Sequence, residues 1–169
     1  AALDASSAQP LVKIAQGAGA AALLADNAEL VRVVKADGVH LSPSGDPAGD
    51  YEEAREILGN RYIVGADTGG SRDDAMTLAE IGADYVAFSA ADEGGAEWRD
   101  ELAGWWAEIF EVPCVALDVT TAAEAIRLQS ANADFIGITL PGSQPPAAAA
   151  ELVKAVHAAL ATAYAEAQA

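Results

Sequence analysis

The stretch Ala36-Asp37-Gly38-Val39-His40-Leu41 is the clearest indication of the fold, because its Ala-Asp pair lies between a helical segment and a short apolar run. The chain repeats this pattern as Ala83-Asp84-Tyr85-Val86-Ala87-Phe88 and as Ala133-Asp134-Phe135-Ile136-Gly137-Ile138. Apolar runs that follow helices, without strict alternation, are typical of a parallel sheet covered by helices. The repeats are 47 and 50 residues apart, which predicts that two helix–strand units separate them.

Seven strand-like segments alternate with helical ones along the chain. They are 1–4, 21–25, 38–42, 62–66, 84–89, 113–118 and 134–140. This alternation predicts one domain over residues 1–169 with the fold of a (β/α)8 TIM barrel. Because the chain opens directly on a strand, we expect the first strand–helix unit of that barrel to be missing from this sequence. A doubly wound open sheet is the alternative, although no Gly-x-Gly-x-x-Gly turn supports its dinucleotide-binding form.

Composition excludes several classes of partner. The 169 residues include 26 acidic and 9 basic side chains, for a net charge of −17. Such a surface repels nucleic acid and anionic membranes, because both bind to positively charged protein surfaces. The sequence has no long uncharged apolar run, no secretory leader and a single cysteine, Cys114. We therefore predict a cytoplasmic protein that binds neither nucleic acid nor membrane.

Two details of the helices can be predicted as well. Thr121 and Glu124 have the spacing of a capping box at the start of a helix. In the helix before the sixth strand-like segment, an apolar stripe is expected to face the sheet, with Trp106 off the stripe at an interface. The stripe consists of Trp98, Leu102, Trp105 and Ile109.

The first repeat and its surroundings resemble the superfamily of thiamine phosphate synthases and thiazole tautomerases. The resemblance rests on Leu23-Leu24-Ala25-Asp26-Asn27, on Lys35 to Leu41, on Gly82 to Val86, on Val112 to Leu117 and on Ala133 to Gly137. It implies a (β/α)8 barrel, commonly a homodimer, with its site at the carboxyl ends of the strands. It also implies a role in thiamine biosynthesis: the synthases join a pyrimidine diphosphate to a thiazole phosphate, with Mg²⁺ holding the diphosphate.

The same resemblance assigns two metal ligands, and it shows where this sequence departs from the motifs of the family. Asp26 occupies the place of the family's magnesium aspartate, and Asp46 stands one position late for the second metal carboxylate. Asp67 and Gly69 occupy the places where the tautomerases have a catalytic histidine. Asp118-Val119 replaces a phosphate-binding Gly-Gly. Most of the family's catalytic and phosphate-binding motifs are therefore expected to be replaced, and no catalytic residue can be assigned.

Polar residues at the strand ends form the predicted binding site. Barrel enzymes place their chemistry at the carboxyl ends of the strands. The residues predicted to bind substrate there are Asp67, Thr68, Ser89, Asp118 and Thr139. The strand ends carry five carboxylates, Asp4 and Asp92 among them, but no Lys or Arg; Arg72 and Arg99 are the nearest basic residues. Carboxylates oppose a diphosphate unless divalent cations reverse the local charge.

Two function classes stay open at this point. The chain is either a thiamine phosphate synthase-type transferase or a non-catalytic barrel that binds a small molecule, for which a cationic or polar ligand suits the carboxylates. A third possibility is an enzyme with another substrate that uses Asp67 or Asp118 as a base. Fold alone does not separate them, because barrels support many chemistries.

Overall fold

A computed structural model describes residues 4–90, 94–140 and 142–167. The chain divides into two compact units, the first ending at Val86 and the second beginning at Ala87. The described residues alternate between seven helices and six strands. None of those helices is both long and apolar enough to cross a membrane.

The first unit contains four helices and its strands run parallel. Its helices are α1 (Ala5–Gly17), α2 (Ala28–Val34), α3 (Pro47–Leu58) and α4 (Arg72–Glu80). Its strands are β1 (Leu23–Ala25), β2 (Gly38–Leu41), β3 (Ile63–Asp67) and the first half of β4 (Tyr85–Phe88). They lie in the order β1-β2-β3-β4, and the register places Ala25 beside His40 and His40 beside Gly65.

The second unit continues the alternation. It contains the end of β4, then α5 (Gly95–Ile109), β5 (Cys114–Val119), α6 (Ala122–Ser130), β6 (Phe135–Ile138) and α7 (Pro146–Ala167). Strand β5 lies between β4 and β6, and it pairs parallel with β6 across an irregularity between Ala116 and Val119. The predicted capping box at Thr121 and Glu124 is present at the start of α6.

Six of the seven predicted strands are confirmed, together with the helix that follows each one. The seventh prediction covered residues 1–4, of which 1–3 lie outside the described residues. Asp4 is not a strand residue, because its carboxylate caps α1 by accepting a hydrogen bond from Ser7 N at 2.9 Å. The parallel α/β class is therefore correct, and the complete eight-unit barrel and the single domain stay predictions.

The three Ala-Asp repeats lie where α2, α4 and α6 end, so two helix–strand units do separate them. A residue in the left-handed conformation follows each helix within two positions, and the N–H of the alanine after it donates to the carbonyl five residues back. The left-handed residues are Lys35 (φ 58°), Gly82 (φ 96°) and Asn132 (φ 61°). The bonds run from Ala36 N to Val31 O at 3.0 Å, from Ala83 N to Leu78 O at 2.9 Å and from Ala133 N to Leu128 O at 3.1 Å.

The aspartate of each repeat ties its strand to the strand before it. In all three cases Oδ2 accepts a hydrogen bond from a backbone N–H within one residue of the start of the preceding strand. The bonds are Ala22 N to Asp37 at 2.8 Å, Val64 N to Asp84 at 2.7 Å and Cys114 N to Asp134 at 2.9 Å. Hydrogen bonds to a charged acceptor are stronger than neutral ones. The repeat is therefore a strand-pairing device at the amino ends of the strands, opposite the predicted site.

Helix α5 buries a different face from the predicted one. Leu102 is buried as expected, but Ile109 is 61 % exposed and Trp106 is fully buried. The Trp106 ring stacks on Phe110 with the ring centroids 4.0 Å apart. The buried face also includes the charged Arg99. Apolar periodicity missed this face because it counts an arginine as a solvent-facing residue.

Candidate functional site

Asp26 lies just after the first strand of the first unit, in a constrained conformation. It follows β1 with φ at 53°, in the left-handed region, where Asp and Asn are the most tolerated residues after glycine. Its Oδ1 accepts a hydrogen bond from Ser42 N at 2.6 Å, and its Oδ2 accepts one from Ser42 Oγ at 2.7 Å. These bonds fix the carboxylate across the carboxyl ends of β1 and β2.

Asp67 and Thr68 lie at the end of β3. Each is only 5 % exposed, and Asp67 Oδ1 accepts a hydrogen bond from Gly69 N at 3.0 Å. Gly69 and Gly70 have φ values of 57° and 88°, which glycine adopts at little cost, and they turn the chain into α4. Ser71 caps that helix by accepting from Asp74 N.

His40 and Tyr85 form a second polar pair in the first unit. The distance from His40 Nδ1 to Tyr85 Oη is 2.8 Å. Burial lowers the pKa of His40, and the negative charges of Asp67 and Asp26 oppose that effect. Burial, reinforced by the charges of Asp67 and Asp84, raises the pKa of Tyr85 to about 12. At neutral pH the pair therefore consists of a neutral imidazole and a protonated phenol.

An acidic cavity of about 590 Å³ opens beside Asp26 in the first unit. Its apolar wall includes Leu41 and Ile57. Its acidic residues are Asp26, Glu29, Asp50 and Glu53. No basic residue is among those that line it, so its potential favours cations.

Asp46, the other predicted metal ligand, caps helix α3. Its Oδ1 accepts a hydrogen bond from Gly49 N at 3.1 Å. Within the described ranges, no group of three or more His, Cys, Asp or Glu side chains is arranged to hold a metal ion. The assignment of Asp26 and Asp46 to Mg²⁺ stays a prediction.

In the second unit, Asp118 repeats the arrangement of Asp26. It has φ at 59° and lies where the pairing of β5 and β6 is irregular. Its Oδ1 accepts a hydrogen bond from Thr139 Oγ1 at 2.7 Å, and its Oδ2 accepts one from Ala90 N at 3.2 Å. One carboxylate thus joins the ends of β4, β5 and β6.

Ser89 precedes Ala90 at the end of β4 and is 5 % exposed. Its Oγ is buried and has no hydrogen-bond partner in the part of the chain that the structure describes. A buried hydroxyl without a partner is costly, so this group favours a bound acceptor. Asp92, also expected at this strand end, lies outside the described residues.

Arg99 does not reach the strand ends as a free cation. Its side chain is fully buried, with Nη1 donating to Leu117 O at 2.8 Å and Nη2 donating to Asp100 Oδ1 at 2.7 Å. It holds the backbone next to Asp118, which makes it a support for the site. Arg72, the other basic residue expected nearby, is the first residue of α4.

Residues 4–140 match the sequence profile of the family described as Thiamine monophosphate synthase. The chain belongs to the thiamine monophosphate synthase family.

Individual members of the thiamine monophosphate synthase family cover much of the chain. It is 40 % identical over 139 residues to the thiamine-phosphate synthase of Erythrobacter litoralis, covering 78 % of this chain and 64 % of that protein. It is 31 % identical over 162 residues to that of Geobacillus kaustophilus, covering 90 % and 71 %. The chain spans 58–64 % of the length of three relatives to which it is 38–40 % identical.

The fold is similar to that of a solved structure. Thiamine phosphate pyrophosphorylase from Pyrococcus furiosus superposes with a TM-score of 0.76 at 20 % identity, covering 94 % of this chain and 76 % of that one. At this identity the likeness concerns the fold alone.

The sequence placed aspartates at the strand ends of this family member but did not single out Tyr85. Asp118 lies against Thr139, which was also predicted to bind substrate, and Asp26 lies against Ser42. Tyr85 was not predicted, because its only signal was its place in the second Ala-Asp repeat. Its partner His40 lies 45 residues earlier, and no local pattern joins them.

Proposed function

We propose that this chain is a thiamine phosphate synthase-type protein of thiamine biosynthesis that couples a pyrimidine diphosphate to a thiazole phosphate. The observation that carries the proposal is the family match over residues 4–140. The polar residues at the strand carboxyl ends of each unit support the proposal, because α/β barrels bind their substrates at such ends. The proposal includes a (β/α)8 barrel, a homodimer and a cytoplasmic location.

The donor atoms at Asp26 and Asp46 suit Mg²⁺. This ion prefers oxygen ligands and commonly uses one or two carboxylates, completing its shell with water and phosphate oxygens. Each oxygen of Asp26 accepts one hydrogen bond from Ser42, which leaves further lone pairs available. Asp46 uses one oxygen to cap α3. When bound, the ion would neutralise charge on the diphosphate.

The remaining strand-end residues would orient the substrates. In the second unit, the Ser89 hydroxyl has no hydrogen-bond partner among the described residues, and a ligand oxygen could serve as its acceptor. Asp118, held by Ala90 N and Thr139 Oγ1, accepts donors and would select a ligand that offers N–H or O–H groups. In the first unit, Asp67 and Thr68 would restrict the end of β3 to polar groups. These roles concern binding and orientation, which together can supply much of a transfer rate.

Product formation tests the proposal. The chain is incubated with the pyrimidine diphosphate, the thiazole phosphate and Mg²⁺, and thiamine phosphate is quantified by chromatography. We expect product that requires Mg²⁺ and falls at least tenfold in Asp26→Asn. Glu52→Gln, which removes an exposed acid of α3, should retain full activity. Absence of product with the unsubstituted chain, or full activity in Asp26→Asn, would overturn the proposal.

The acidic cavity favours one second candidate, a non-catalytic protein that binds an organic cation. Its four carboxylates and lack of basic residues match a positively charged ligand. Thiamine, which carries a positive thiazolium ring, is a suitable probe. Under this candidate, calorimetry detects thiamine binding that weakens in Glu53→Gln and at high salt, while no product forms in the transfer assay. Equal binding by Glu53→Gln and the unsubstituted chain would contradict it.

A further inference from the structure

Strand β3 carries a glycine where His40 and Tyr85 approach each other. Gly65 is the register partner of His40, and β3 lies between β2 and β4 in the first unit. A Cβ atom on Gly65 would overlap the ring of Tyr85. The absence of a side chain at this position is therefore what lets the Tyr85 ring extend over β3 to His40.

The geometry of this pair determines which group donates. Nδ1 of His40 and Oη of Tyr85 are 2.8 Å apart, and the two rings are within 9° of parallel with their centroids 5.9 Å apart. In a neutral imidazole, one nitrogen carries a lone pair in the ring plane and the other carries the proton. Nearly parallel rings allow the phenolic O–H to lie along that lone pair.

The phenolic proton has one acceptor available. Among the described residues, Tyr85 Oη makes no hydrogen bond other than the one to His40. If Nδ1 were the donor, the proton of this largely buried phenol would have no acceptor. A buried polar hydrogen without a partner is disfavoured. Both the phenolic proton and the Nδ1 lone pair have a partner when the O–H of Tyr85 donates a hydrogen bond to Nδ1 of His40.

We propose that Tyr85 is a positioning residue that fixes His40 in the tautomer protonated on Nε2. His40 then offers a single N–H donor on the nitrogen that faces away from Tyr85. Nε2 has no hydrogen-bond partner in the described part of the chain, so this donor is available to an acceptor atom of a ligand. That use of the donor rests on the proposed function, whereas the tautomer exists without any ligand.

Nitrogen NMR tests the proposal on the intact, ligand-free chain. The chain has two histidines, so substitution of His157 by Gln assigns both imidazoles in a ¹⁵N-labelled sample. At mildly alkaline pH we expect a bare Nδ1 and a protonated Nε2 on His40, with widely separated shifts. His157 is exposed and supplies the averaged reference in the same spectrum. A protonated Nδ1 on His40, or shifts averaged like those of His157, would overturn the proposal.

Matched variants identify the cause of the tautomer. Tyr85→Phe should move the two His40 shifts toward each other, because the donor to Nδ1 is gone. Tyr51→Phe removes a phenol that donates to Gly82 O instead and should leave the His40 shifts unchanged. Unchanged shifts in Tyr85→Phe would contradict the role of Tyr85. If Tyr85→Phe does not fold, the spectrum of the unsubstituted chain still decides the tautomer.

Discussion

Gly65 shows how one residue without a side chain can shape a site. Tyr85 and His40 lie on strands that both flank β3, and their rings meet where Gly65 offers no Cβ. Interiors of parallel sheets are close-packed, so an added methyl group at such a point displaces its neighbours. The hydrogen bond of the pair therefore depends on a residue that makes no polar contact with either ring.

Gly65→Ala should separate the two rings. We expect a loss of about 1–3 kcal/mol of unfolding free energy, as for other overpacked interiors, together with loss of the single His40 tautomer. Gly17→Ala is the control, since a Cβ there meets no atom within 4 Å. It should be neutral or stabilising by up to about 1 kcal/mol, because alanine favours helix α1. Urea denaturation measures both variants; equal stability of Gly65→Ala and the unsubstituted chain would contradict the packing described here.

Cys114 should be unreactive while the chain is folded. It is fully buried at the start of β5, and burial raises the pKa of its thiol to about 11. Because the thiolate is the reactive form, its population at pH near 8 falls by about a hundredfold relative to an ordinary cysteine. Alkylation followed by mass spectrometry should therefore be slow in buffer and fast in urea. Rapid labelling of the native chain would show that the thiol is accessible.

The same set of backbone and side-chain hydrogen bonds joins helices to strands at several places along the chain. The helix ending, the alanine and the strand-pairing aspartate act together in the repeats that begin β2, β4 and β6. At the opposite, carboxyl ends, Asp26 and Asp118 both adopt the left-handed conformation, and each accepts a hydrogen bond from a hydroxyl just after the next strand. The acids of the repeats thus bind the start of the preceding strand, whereas Asp26 and Asp118 bind the residue that follows the next strand.

Removal of one pairing aspartate should weaken the second unit. Asp134→Ala leaves Cys114 N without its acceptor, and we expect a loss of about 1.5–3 kcal/mol because the lost hydrogen bond involves a charged group. Glu111→Ala removes an exposed acid nearby and should change stability by less than about 0.5 kcal/mol. Urea unfolding distinguishes the two; indistinguishable midpoints would mean that the repeat does not contribute to strand pairing.

The cap of helix α1 should be sensitive to acid. Hydrogen bonds from Ser7 N and from the Ser6 and Ser7 hydroxyls lower the pKa of Asp4 from 3.8 to about 2. Since the folded pKa lies below the ordinary value, the charged cap contributes its full stability above pH 4. That contribution is lost as the pH falls from about 4 to about 2. NMR titration of the Asp4 carboxyl should give a midpoint near 2; a midpoint near 4 would contradict the cap.

Across the whole chain, the alternation of strands and helices could be predicted from the sequence. Hydrophobic periodicity and the residues that begin or end a helix are local signals. Six strands, the box at Thr121 and the ends of three helices follow from them. The buried face of α5 did not, since Arg99 is satisfied by Asp100 and Leu117 O, partners that only the tertiary structure supplies.

The candidate site was predictable to a similar extent. Asp26, Asp67 and Asp118 could be placed at strand ends, because a predicted strand also identifies the residues at its carboxyl end. Their partners depend on which strands are neighbours, and the pair of His40 and Tyr85 depends on an absent side chain in the strand between them. That Ser89 Oγ is buried without a hydrogen-bond partner among residues 4–90, 94–140 and 142–167 is likewise a property of packing.

We propose that this acidic family member binds a diphosphate only together with a divalent cation at Asp26. Isothermal titration calorimetry of pyrophosphate into the chain, with and without Mg²⁺, measures this binding. We predict binding with Mg²⁺, none without it, and loss of binding in Asp26→Asn but not in Glu52→Gln. Pyrophosphate binding without Mg²⁺, or the absence of binding with it, would contradict the claim.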